Sequence, residues 1–437
     1  MLAAGCAVGL GNVWRFPFIV GQNGGAAFVL VYLAFLALLG FPLLVCELAI
    51  GRAARSGIAS AMPRLAASGS RRSAKLWRYA GIAIFAGNVV LMMYYTDVCG
   101  WLMRYTIDFL RGAHPAAGCG GERFTQVSTS VPSATCYMAS AVVLATATCA
   151  AGVQKGVERV TKWMMLALLA LLGLLAVRSL SLPGAKEGLR FYLAPDWGKF
   201  MAHPWKSVYD AMGQAFFTLS LGVGCMSIFG SYMEEKRTLA TEAVWIIGID
   251  TAVAILSGVI IFPACATFGV PYEQGPGLIF VALPEIFAQL AAPRLWGGVF
   301  FLFLSLAALT TVVSVFECII GNFIDETRKS RRIVAMCTGA MIFALSMPCI
   351  LITHLPEDFC FASVLDMEDF VVSKLWLPIG SLAMCIFATS HLGWGWERFA
   401  ETANTGTGIR LGRIARFAMR YLLPLAVAII LVTSFGS

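Results

Sequence analysis

The chain has 437 residues, of which 59% are hydrophobic and only 13% are charged, and its formal net charge is +8. A water-soluble core of this length cannot bury so much apolar surface, which excludes an ordinary soluble domain and indicates lipid as the solvent. The composition therefore predicts an all-α membrane protein, and the alternating pattern of a membrane β-barrel is absent.

Eleven apolar stretches are long enough to cross the hydrocarbon, since a helical span needs about 20 such residues. We number them helices 1 to 11 and place them in a single membrane domain, residues 1–437. They lie near residues 2–22, 27–51, 79–110, 133–152, 160–179, 208–233, 240–268, 293–324, 332–353, 370–389 and 417–435.

Basic residues concentrate in alternate loops, and this asymmetry predicts the orientation of the chain. Most of the 32 Lys and Arg residues lie in the loops after helices 2, 4, 6, 8 and 10. The positive-inside rule makes these loops cytoplasmic, with the N-terminus inside and the C-terminus outside. The cations follow topology and form no continuous face, so nucleic acid is not an expected partner. We expect a multi-pass protein of the inner cell membrane with no cleaved signal peptide.

Helix 1 is interrupted by glycine in the sequence GCAVGLGNVWRFPF at residues 5–18. Each glycine inside a helix costs about 1 kcal/mol relative to alanine. Gly5, Gly9 and Gly11 therefore argue against a continuous helix, and we predict a break at residues 7–12.

Helix 6 carries a second interruption, GQAFFTLSLGVG at residues 213–224. If helices 1 to 5 (1–180) and helices 6 to 10 (208–390) are inverted repeats, with 417–435 as an additional helix 11, the two interruptions are equivalent. Glycine-broken segments in matching halves indicate a binding site near the bilayer midplane. Close helix packing would also explain the glycines, but not the polar residues beside them, Asn12, Arg15, Thr218 and Ser220.

Some carboxylates lie well inside apolar spans, where an ionisable group is expensive and is a functional hypothesis by default. Asp250 in helix 7 is the most informative of them. The alternative for Asp250 is a carboxylate near a helix end that reaches out to water. We interpret Glu47 and Glu317 as buried hydrogen-bonding groups that brace helices 2 and 8, and Asp97 has no specific interpretation.

The thirteen cysteines and four histidines show no metal-ligand or catalytic spacing, so no enzyme chemistry is predicted. Most cysteines lie inside apolar spans. Cys119 and Cys360 lie in loops, where a disulfide is one alternative and two free thiols the other. In the loop at 269–292, the GPG of 275–277 precedes an apolar piece at 278–283, which fits either a lid over a cavity or an ordinary turn.

Motifs along nearly the whole chain carry a resemblance to a known family. In chain order they are AVGLGNVWRFP in helix 1, NGGAAF at 23–28, residues 42–52, Tyr95, QAFFTLSLG in helix 6, GPGLIFVALP at 275–284, residues 307–314 and LDMEDF at 365–370. On these motifs the sequence resembles the neurotransmitter:sodium symporter family, and within it bacterial amino-acid transporters with the leucine-transporter fold. The resemblance implies about 11 transmembrane helices in a 5+5 inverted repeat with broken helices 1 and 6.

The resemblance further implies sodium-coupled symport of a small amino acid, apolar or aromatic, into the cell by alternating access. Two Na⁺ sites made of oxygen ligands are implied. The first set is Ala7, Asn12, Thr218 and Asp250. The second set is Gly5, Val8, Ala307, Thr310 and Thr311.

The implied substrate site lies between the two interruptions. The substrate carboxylate would meet the free amides near Leu10 and Gly11, with the Tyr95 hydroxyl donating to it. The ammonium group would meet carbonyls near Ala7, Phe217 and Thr218. The side-chain pocket would be lined by Leu91, Phe217, Ser220, Val223, Thr311 and Val315.

Three positions refine this expectation. Monoamine transporters of the family have an aspartate in place of Gly9, so glycine favours a substrate with its own carboxylate. Chloride-dependent members have a neutral residue in place of Asp250, so chloride is not expected. Val223 stands where many relatives have a bulkier residue and would leave extra room. Arg15 and Asp369 would form an outer gate beside the aromatic pair Tyr95 and Phe217.

The sequence departs from the family at the inner gate. Relatives carry an arginine and a tryptophan before helix 1 that latch this gate, whereas only four residues precede Gly5. Asp325 and Tyr232 match the rest of the latch but have no visible partner in the sequence. Leu166 stands where relatives often have a proline that helps helix 5 to unwind. The alternative function is an amino-acid-binding membrane sensor or a transport-impaired homologue, and an ion channel is disfavoured because no continuous polar pore is visible.

Overall fold

The structure is a computed structural model that describes residues 2–66, 71–116, 118–272, 277–353 and 363–435. The all-α class is confirmed, since the described residues contain no β-structure beyond two isolated bridges. Eight uninterrupted helices in these ranges are long and apolar enough to cross a membrane. They are helices 2 (Ala26–Ala54), 3 (Arg72–Arg111), 4 (Val131–Ala150), 5 (Val153–Leu180), 7 (Leu239–Phe268), 8 (Pro293–Thr327), 9 (Arg331–Leu351) and 10 (Val364–Thr389).

Helices 1, 6 and 11 complete the predicted set, and helices 1 and 6 are each built from two separate pieces. Helix 1 consists of 1a (Leu2–Ala7) and 1b (Gly11–Arg15 continued by Phe16–Gln22). Helix 6 consists of 6a (Pro204–Thr218) and 6b (Cys225–Tyr232). Helix 11 runs through Arg413–Phe417, Ala418–Leu422 and Leu423–Phe435. The repeat boundaries at 1–180 and 208–390 remain a prediction.

Several predicted spans are too short at one end, because polar residues extend the helix beyond its apolar core. Helix 3 begins at Arg72 although its apolar stretch begins near 79, and helix 10 begins at Val364 although its stretch begins near 370. The start of helix 10 is set by a cap, since the Ser363 hydroxyl accepts the Asp366 backbone N–H at 3.1 Å. Hydropathy does not register such a cap.

Short helices fill the connections, and one of them lies over helix 1b. They are Ile58–Ala66, Gly120–Thr129, Ala185–Leu193, Trp197–Ala202, Leu278–Gln289 and Trp396–Asn404. The segment proposed as a lid or turn is thus helical, and the Phe280 ring meets Trp14 of helix 1b edge to face with centroids 5.7 Å apart. Residues 275–276 lie outside the described ranges. Cys119 has a free thiol, and Cys360 also lies outside the described residues.

Proline shapes the interior of several helices. Six short π-helical turns occur in the described residues, and five of them run directly into an X-Pro pair at Pro17, Pro42, Pro284, Pro378 and Pro424. Proline has no N–H and its ring crowds the carbonyl one turn before it, so a widened turn relieves the clash. Three carbonyls about one turn before these prolines accept bonds from other elements: Phe280 from the Tyr105 hydroxyl at 2.7 Å, Lys374 from the Tyr209 hydroxyl at 2.9 Å, and Met419 from the Cys385 thiol at 3.0 Å.

The two predicted breaks are present but differ in extent from the prediction. In helix 1 only Val8 and Gly9 leave helical geometry, and the helix resumes at Leu10. In helix 6 the break runs over 219–224, so the first half of the predicted interruption is regular helix. This break passes three times through positive φ, at Ser220 (52°), Gly222 (92°) and Gly224 (70°). Glycine adopts such angles without the steric cost that other residues meet.

Buried side chains satisfy the open backbone of the helix 6 break. The Glu47 carboxylate accepts the Gly222 N–H at 2.5 Å, and the Asn88 amide donates to the Val223 carbonyl at 2.6 Å. An unpaired backbone group costs several kcal/mol in hydrocarbon, so these contacts are what permits a turn at this depth. Glu47 is therefore a buried hydrogen-bonding group. It lies in helix 2 and joins that helix to helix 6.

Candidate functional site

The two breaks face each other across a small cavity in the middle of the helix bundle. Its volume is about 20 Å³, which is room for about one water molecule. Helices 1, 3, 6, 8 and 10 contribute its lining, which consists of Cys6, Ala7, Gly9, Gly11, Leu91, Tyr95, Phe217, Ser220, Val223, Thr311, Val372 and Leu377.

Eight of the eleven residues predicted for the substrate site line this cavity. The exceptions are Leu10 and Thr218, which form hydrogen bonds behind its wall, and Val315, which is buried in helix 8 without reaching the lining. Sequence reasoning missed Val372 and Leu377, which helix 10 supplies. No local pattern indicates that helix 10 packs against the helix 6 break, so these two residues had no signal in the sequence.

Tyr95 links helix 3 to the start of helix 1b. Its hydroxyl accepts the Leu10 backbone N–H at 3.1 Å, and the side chain is almost fully buried. A phenol that accepts a bond keeps its own hydrogen to donate, so Tyr95 can donate to an anionic group in the cavity. The positive end of helix 1b favours negative charge at the same place. The arrangement suits a carboxylate.

Glycine keeps the cavity open beside Tyr95. A Cβ at Gly9 would lie 2.2 Å from Oγ1 of Thr311 and 3.1 Å from the Tyr95 hydroxyl. A Cβ at Gly11 would lie 2.9 Å from the Phe217 ring. Any larger side chain at Gly9 would therefore occupy the space in front of the Tyr95 hydroxyl.

The Asp250 carboxylate is fully buried between helices 1, 6 and 7. It accepts a bond from the Asn12 amide at 2.7 Å on Oδ1 and from the Thr218 hydroxyl at 2.9 Å on Oδ2. The Asn12 Oδ1 atom accepts the Gly9 N–H at 3.0 Å, which leaves a second lone pair on that oxygen. Both side-chain partners of Asp250 are neutral, so the ionised carboxylate still lacks a compensating charge.

This geometry gathers three members of the first predicted sodium set, Asn12, Thr218 and Asp250, while Ala7 lines the adjoining cavity. It also contradicts the alternative in which Asp250 reaches water from a helix end, because its exposed fraction is 0%. Gln214, which the sequence did not single out, donates to the Gly11 carbonyl at 2.8 Å and ties helix 6a to helix 1b.

A second group of oxygens lies where helix 8 meets the helix 1 break. The Thr310 hydroxyl is 3.3 Å from the Val8 carbonyl and 2.8 Å from the Ala307 carbonyl, and the Thr311 hydroxyl is 3.4 Å from the same Ala307 oxygen. Four residues of the second predicted sodium set are thus adjacent. The fifth, Gly5, packs closely against helix 5, where a Cβ would lie 2.3 Å from the Thr161 methyl group.

One end of the bundle, which we call the gate end, is closed by the predicted pair Arg15 and Asp369. Their nearest N and O atoms are 3.6 Å apart. Arg15 also donates to the Ser373 hydroxyl at 2.7 Å, and the Tyr94 hydroxyl donates to Asp369 at 2.9 Å. The Arg15 guanidinium lies 4.5 Å from the centre of the Phe217 ring, which covers the cavity.

The opposite end, which we call the basic end, holds a cavity of about 1050 Å³ whose lining includes Ala3, Arg52, Lys155, Phe229 and Lys236.

At the basic end, Tyr232 and Asp325, the two residues that match the family's inner latch, contact other parts of the chain. The Tyr232 hydroxyl donates to Glu317 at 2.7 Å, and Glu317 also pairs with Arg331. Asp325 accepts the Gly57 backbone N–H at 2.7 Å. These partners lie far away in the chain, which is why the sequence did not reveal them.

Comparisons with known proteins agree on one family. The model of the "Sodium:neurotransmitter symporter family" matches residues 1–137 and 128–437. The chain is 33% identical to "Uncharacterized sodium-dependent transporter YhdH" of Bacillus subtilis, over 100% of this chain and 96% of that protein. It is 27% identical to "Sodium-dependent serotonin transporter" of Drosophila melanogaster, over 98% of this chain and 74% of that protein. These relatives are transporters and not enzymes.

A solved structure shares the whole fold. MhsT in complex with L-phenylalanine superposes with a TM-score of 0.88 at 35% identity, over 99% of this chain and 97% of that chain. The match covers both broken helices and the helices that surround the cavity.

Proposed function

The chain belongs to the sodium:neurotransmitter symporter family, and from this premise we propose that it is a sodium-coupled symporter that imports an apolar or aromatic amino acid. The proposal extends to two sodium sites, to independence of chloride and to alternating access between the gate end and the basic end. It takes the basic end to be cytoplasmic, in accordance with the positive-inside rule.

The observation that carries the proposal is the fully buried Asp250 carboxylate, which both broken helices approach through neutral groups. A buried carboxylate without a cationic partner is costly, and a bound cation removes that cost. Carboxylate, amide, hydroxyl and carbonyl oxygens are the ligands that a hard cation prefers. Sodium would therefore tie helices 1, 6 and 7 together next to the cavity, which gives a physical link between cation and solute.

The substrate class follows from the cavity. The space kept free by Gly9, next to the Tyr95 hydroxyl and the start of helix 1b, suits the carboxylate of a zwitterion. The remaining lining is mostly apolar, with Leu91, Phe217 and Leu377 as its large members. The solved relative MhsT is described with L-phenylalanine, which has both features. A substrate of this size requires the cavity to widen as it binds.

Chloride independence rests on the same carboxylate. Asp250 already supplies a negative charge beside the first predicted sodium set, so no anion is needed there to balance the cation. Two sodium ions moving inward would contribute about 2.3 kcal/mol per charge for each 100 mV of membrane potential, which is enough to drive a zwitterion uphill.

The test is sodium-driven uptake into proteoliposomes that contain the purified full chain. We expect labelled L-phenylalanine or L-leucine to accumulate with an inward sodium gradient, and not when choline replaces sodium. Phenethylamine is the matched control, because it has the ring and the amine of phenylalanine but no carboxylate. It should compete at least ten-fold less well.

Three outcomes would contradict parts of the proposal. Uptake that falls in sodium gluconate relative to sodium chloride contradicts chloride independence. Uptake without sodium contradicts both sodium sites. Sodium-dependent binding without accumulation contradicts the symporter and favours the amino-acid sensor.

A further inference from the structure

Two cysteines meet between helices 1a and 6b. Cys6 lies in the last turn of helix 1a, directly before the helix 1 break, and Cys225 is the first residue of helix 6b, directly after the helix 6 break. Their sulfur atoms are 3.4 Å apart, and both residues are fully buried free thiols. They are separated by 219 positions in the chain, so no sequence spacing indicates the pair.

The pair lies in the wall between two cavities. Cys6 lines the small central cavity. Ala3, one turn earlier in helix 1a, and Phe229, one turn later in helix 6b, line the large cavity at the basic end. Helix 1a therefore borders both cavities, and helix 6b borders the large cavity and meets helix 1a at Cys225. On the proposed function, a solute released toward the basic end passes beside this contact, and separation of helices 1a and 6b would open its way.

We propose that Cys6 and Cys225 form an oxidative modification site, at which a hydroperoxide joins the two thiols into a disulfide that holds helix 1a against helix 6b and stops release. The effect on transport rests on the proposed function, whereas the thiol chemistry does not. The reactant class is a small peroxide, because the cavity that Cys6 lines has room for only about one water molecule.

The reaction balances in two steps. The Cys6 sulfur donates an electron pair to one peroxide oxygen, the O–O bond breaks, Cys6 becomes a sulfenic acid, and hydrogen peroxide leaves one water. The Cys225 sulfur then attacks the Cys6 sulfur, the S–S bond forms, and the sulfenic oxygen leaves as a second water. Two electrons pass from the thiols to the peroxide.

A second thiol near Cys225 competes with Cys6 for the disulfide. A disulfide bond is about 2.0 Å long, so the two sulfurs must approach by roughly 1.4 Å. Cys318 is the competing thiol, since it interacts with Cys225 and its sulfur lies 3.8 Å from the Gly224 carbonyl. A Cys225–Cys318 disulfide would join helix 6b to helix 8 and leave helix 1a free. Because cytoplasmic thiols are kept reduced, the modification should be transient and reversible.

The experiment uses the full chain in proteoliposomes, treated with hydrogen peroxide and then alkylated with N-ethylmaleimide. Peptide mass spectrometry identifies which cysteines are linked, and sodium-driven amino-acid uptake and equilibrium binding are measured on the same sample. We expect a Cys6–Cys225 peptide, at least a ten-fold loss of uptake, retained binding, and recovery of uptake after dithiothreitol. Each variant is compared with its own untreated rate.

Two variants make the result specific. Cys225→Ala should resist peroxide, whereas the matched control Cys265→Ala, a buried cysteine of helix 7, should be inactivated like the wild type. The inference is overturned if no Cys6–Cys225 peptide forms, if Cys225→Ala is inactivated equally, or if the linked protein still transports. Absence of sodium-driven uptake before oxidation would instead contradict the proposed function, while the peptide map would still decide whether the thiols react.

Discussion

The breaks in helices 1 and 6 interrupt equivalent parts of two spans, but their freed backbone groups find different partners. In helix 1 the groups around Val8 and Gly9 are met by Thr310, Asn12 and Tyr95, which belong to the candidate site itself. In helix 6 the open turn is held by Glu47 and Asn88, which lie outside the cavity lining. The helix 1 break is therefore held by residues of the candidate site, whereas the helix 6 break is held by residues outside the site, although its own Ser220 and Val223 line the cavity.

This difference predicts two classes of variant. Substitutions in the helix 6 turn should lower the free energy of unfolding more than they change binding. Substitutions around the helix 1 break should do the reverse.

Gly222→Ala should have the largest effect. Gly222 has φ of 92°, and a Cβ there would lie 2.0 Å from the Leu377 carbonyl oxygen, which is backbone and cannot rotate away. We expect the free energy of unfolding to fall by about 3 kcal/mol or more, measured by thermal unfolding in detergent. Gly213→Ala is the control, because a Cβ there meets nothing within 4 Å and the position is helical. Equal melting temperatures for the two variants would contradict a structural role for the helix 6 turn.

Asp250→Asn tests the second class of variant, in which binding should change more than the free energy of unfolding. The amide keeps an oxygen for hydrogen bonding but loses the charge, so we expect sodium to bind about 30-fold more weakly, equivalent to about 2 kcal/mol. The melting temperature without sodium should change little. The sodium dependence of substrate binding is the measurement, and the exposed Asp366→Asn in helix 10 is the control. A sodium curve that matches the wild type would exclude Asp250 as a ligand.

Gly9→Ala should weaken substrate binding by about ten-fold, or about 1.4 kcal/mol, because the new methyl group enters the space in front of Tyr95. The nearest atom is the Thr311 hydroxyl, a side-chain end that can rotate, so the protein should still fold. Equilibrium binding of L-phenylalanine measures the loss. Gly248→Ala in helix 7, where a Cβ meets nothing within 4 Å, should bind like the wild type. Unfolding of Gly9→Ala would mean that the helix 1 break is also structural.

Tyr232→Phe should have the smallest combined effect on stability and on substrate binding. It tests whether contacts at the basic end influence the two breaks. The change removes the bond to Glu317, which keeps Arg331 as a partner, so we expect a loss of about 1 kcal/mol in unfolding free energy. Substrate affinity should change less than three-fold, measured in the same binding assay. A larger loss of substrate affinity would show that contacts at the basic end control the cavity, and that the breaks do not act alone.

The sequence located both breaks because glycine has a local effect on helix stability. It misjudged the extent of the helix 6 break because Gly213 fits a regular helix when nothing crowds it. Asn12, Thr218 and Asp250 could be grouped through a family resemblance, although 238 positions separate Asn12 from Asp250. The number of bound sodium ions, the substrate and the role of chloride stay predictions.

Other contacts could not be predicted, because they depend on how each helix is rotated about its axis. Glu47 was expected to form buried hydrogen bonds, but the residues next to it in the sequence do not indicate Gly222 as its partner. The same holds for Leu377 in the cavity lining and for Tyr232 beside Glu317. A hydrophobic span gives the length and depth of a helix in the membrane, whereas these partners require its neighbours to be known.

The prolines of the π-helical turns bear on how the chain assembles in the bilayer. The carbonyls of Phe280, Lys374 and Met419, each about one turn before a proline, accept hydrogen bonds from Tyr105, Tyr209 and Cys385 of other elements. Hydrocarbon offers no water to replace those donors. Each of these segments therefore gains a hydrogen bond only when its partner element packs against it. Proline, usually regarded as a helix breaker, here directs backbone hydrogen bonds from one element to another.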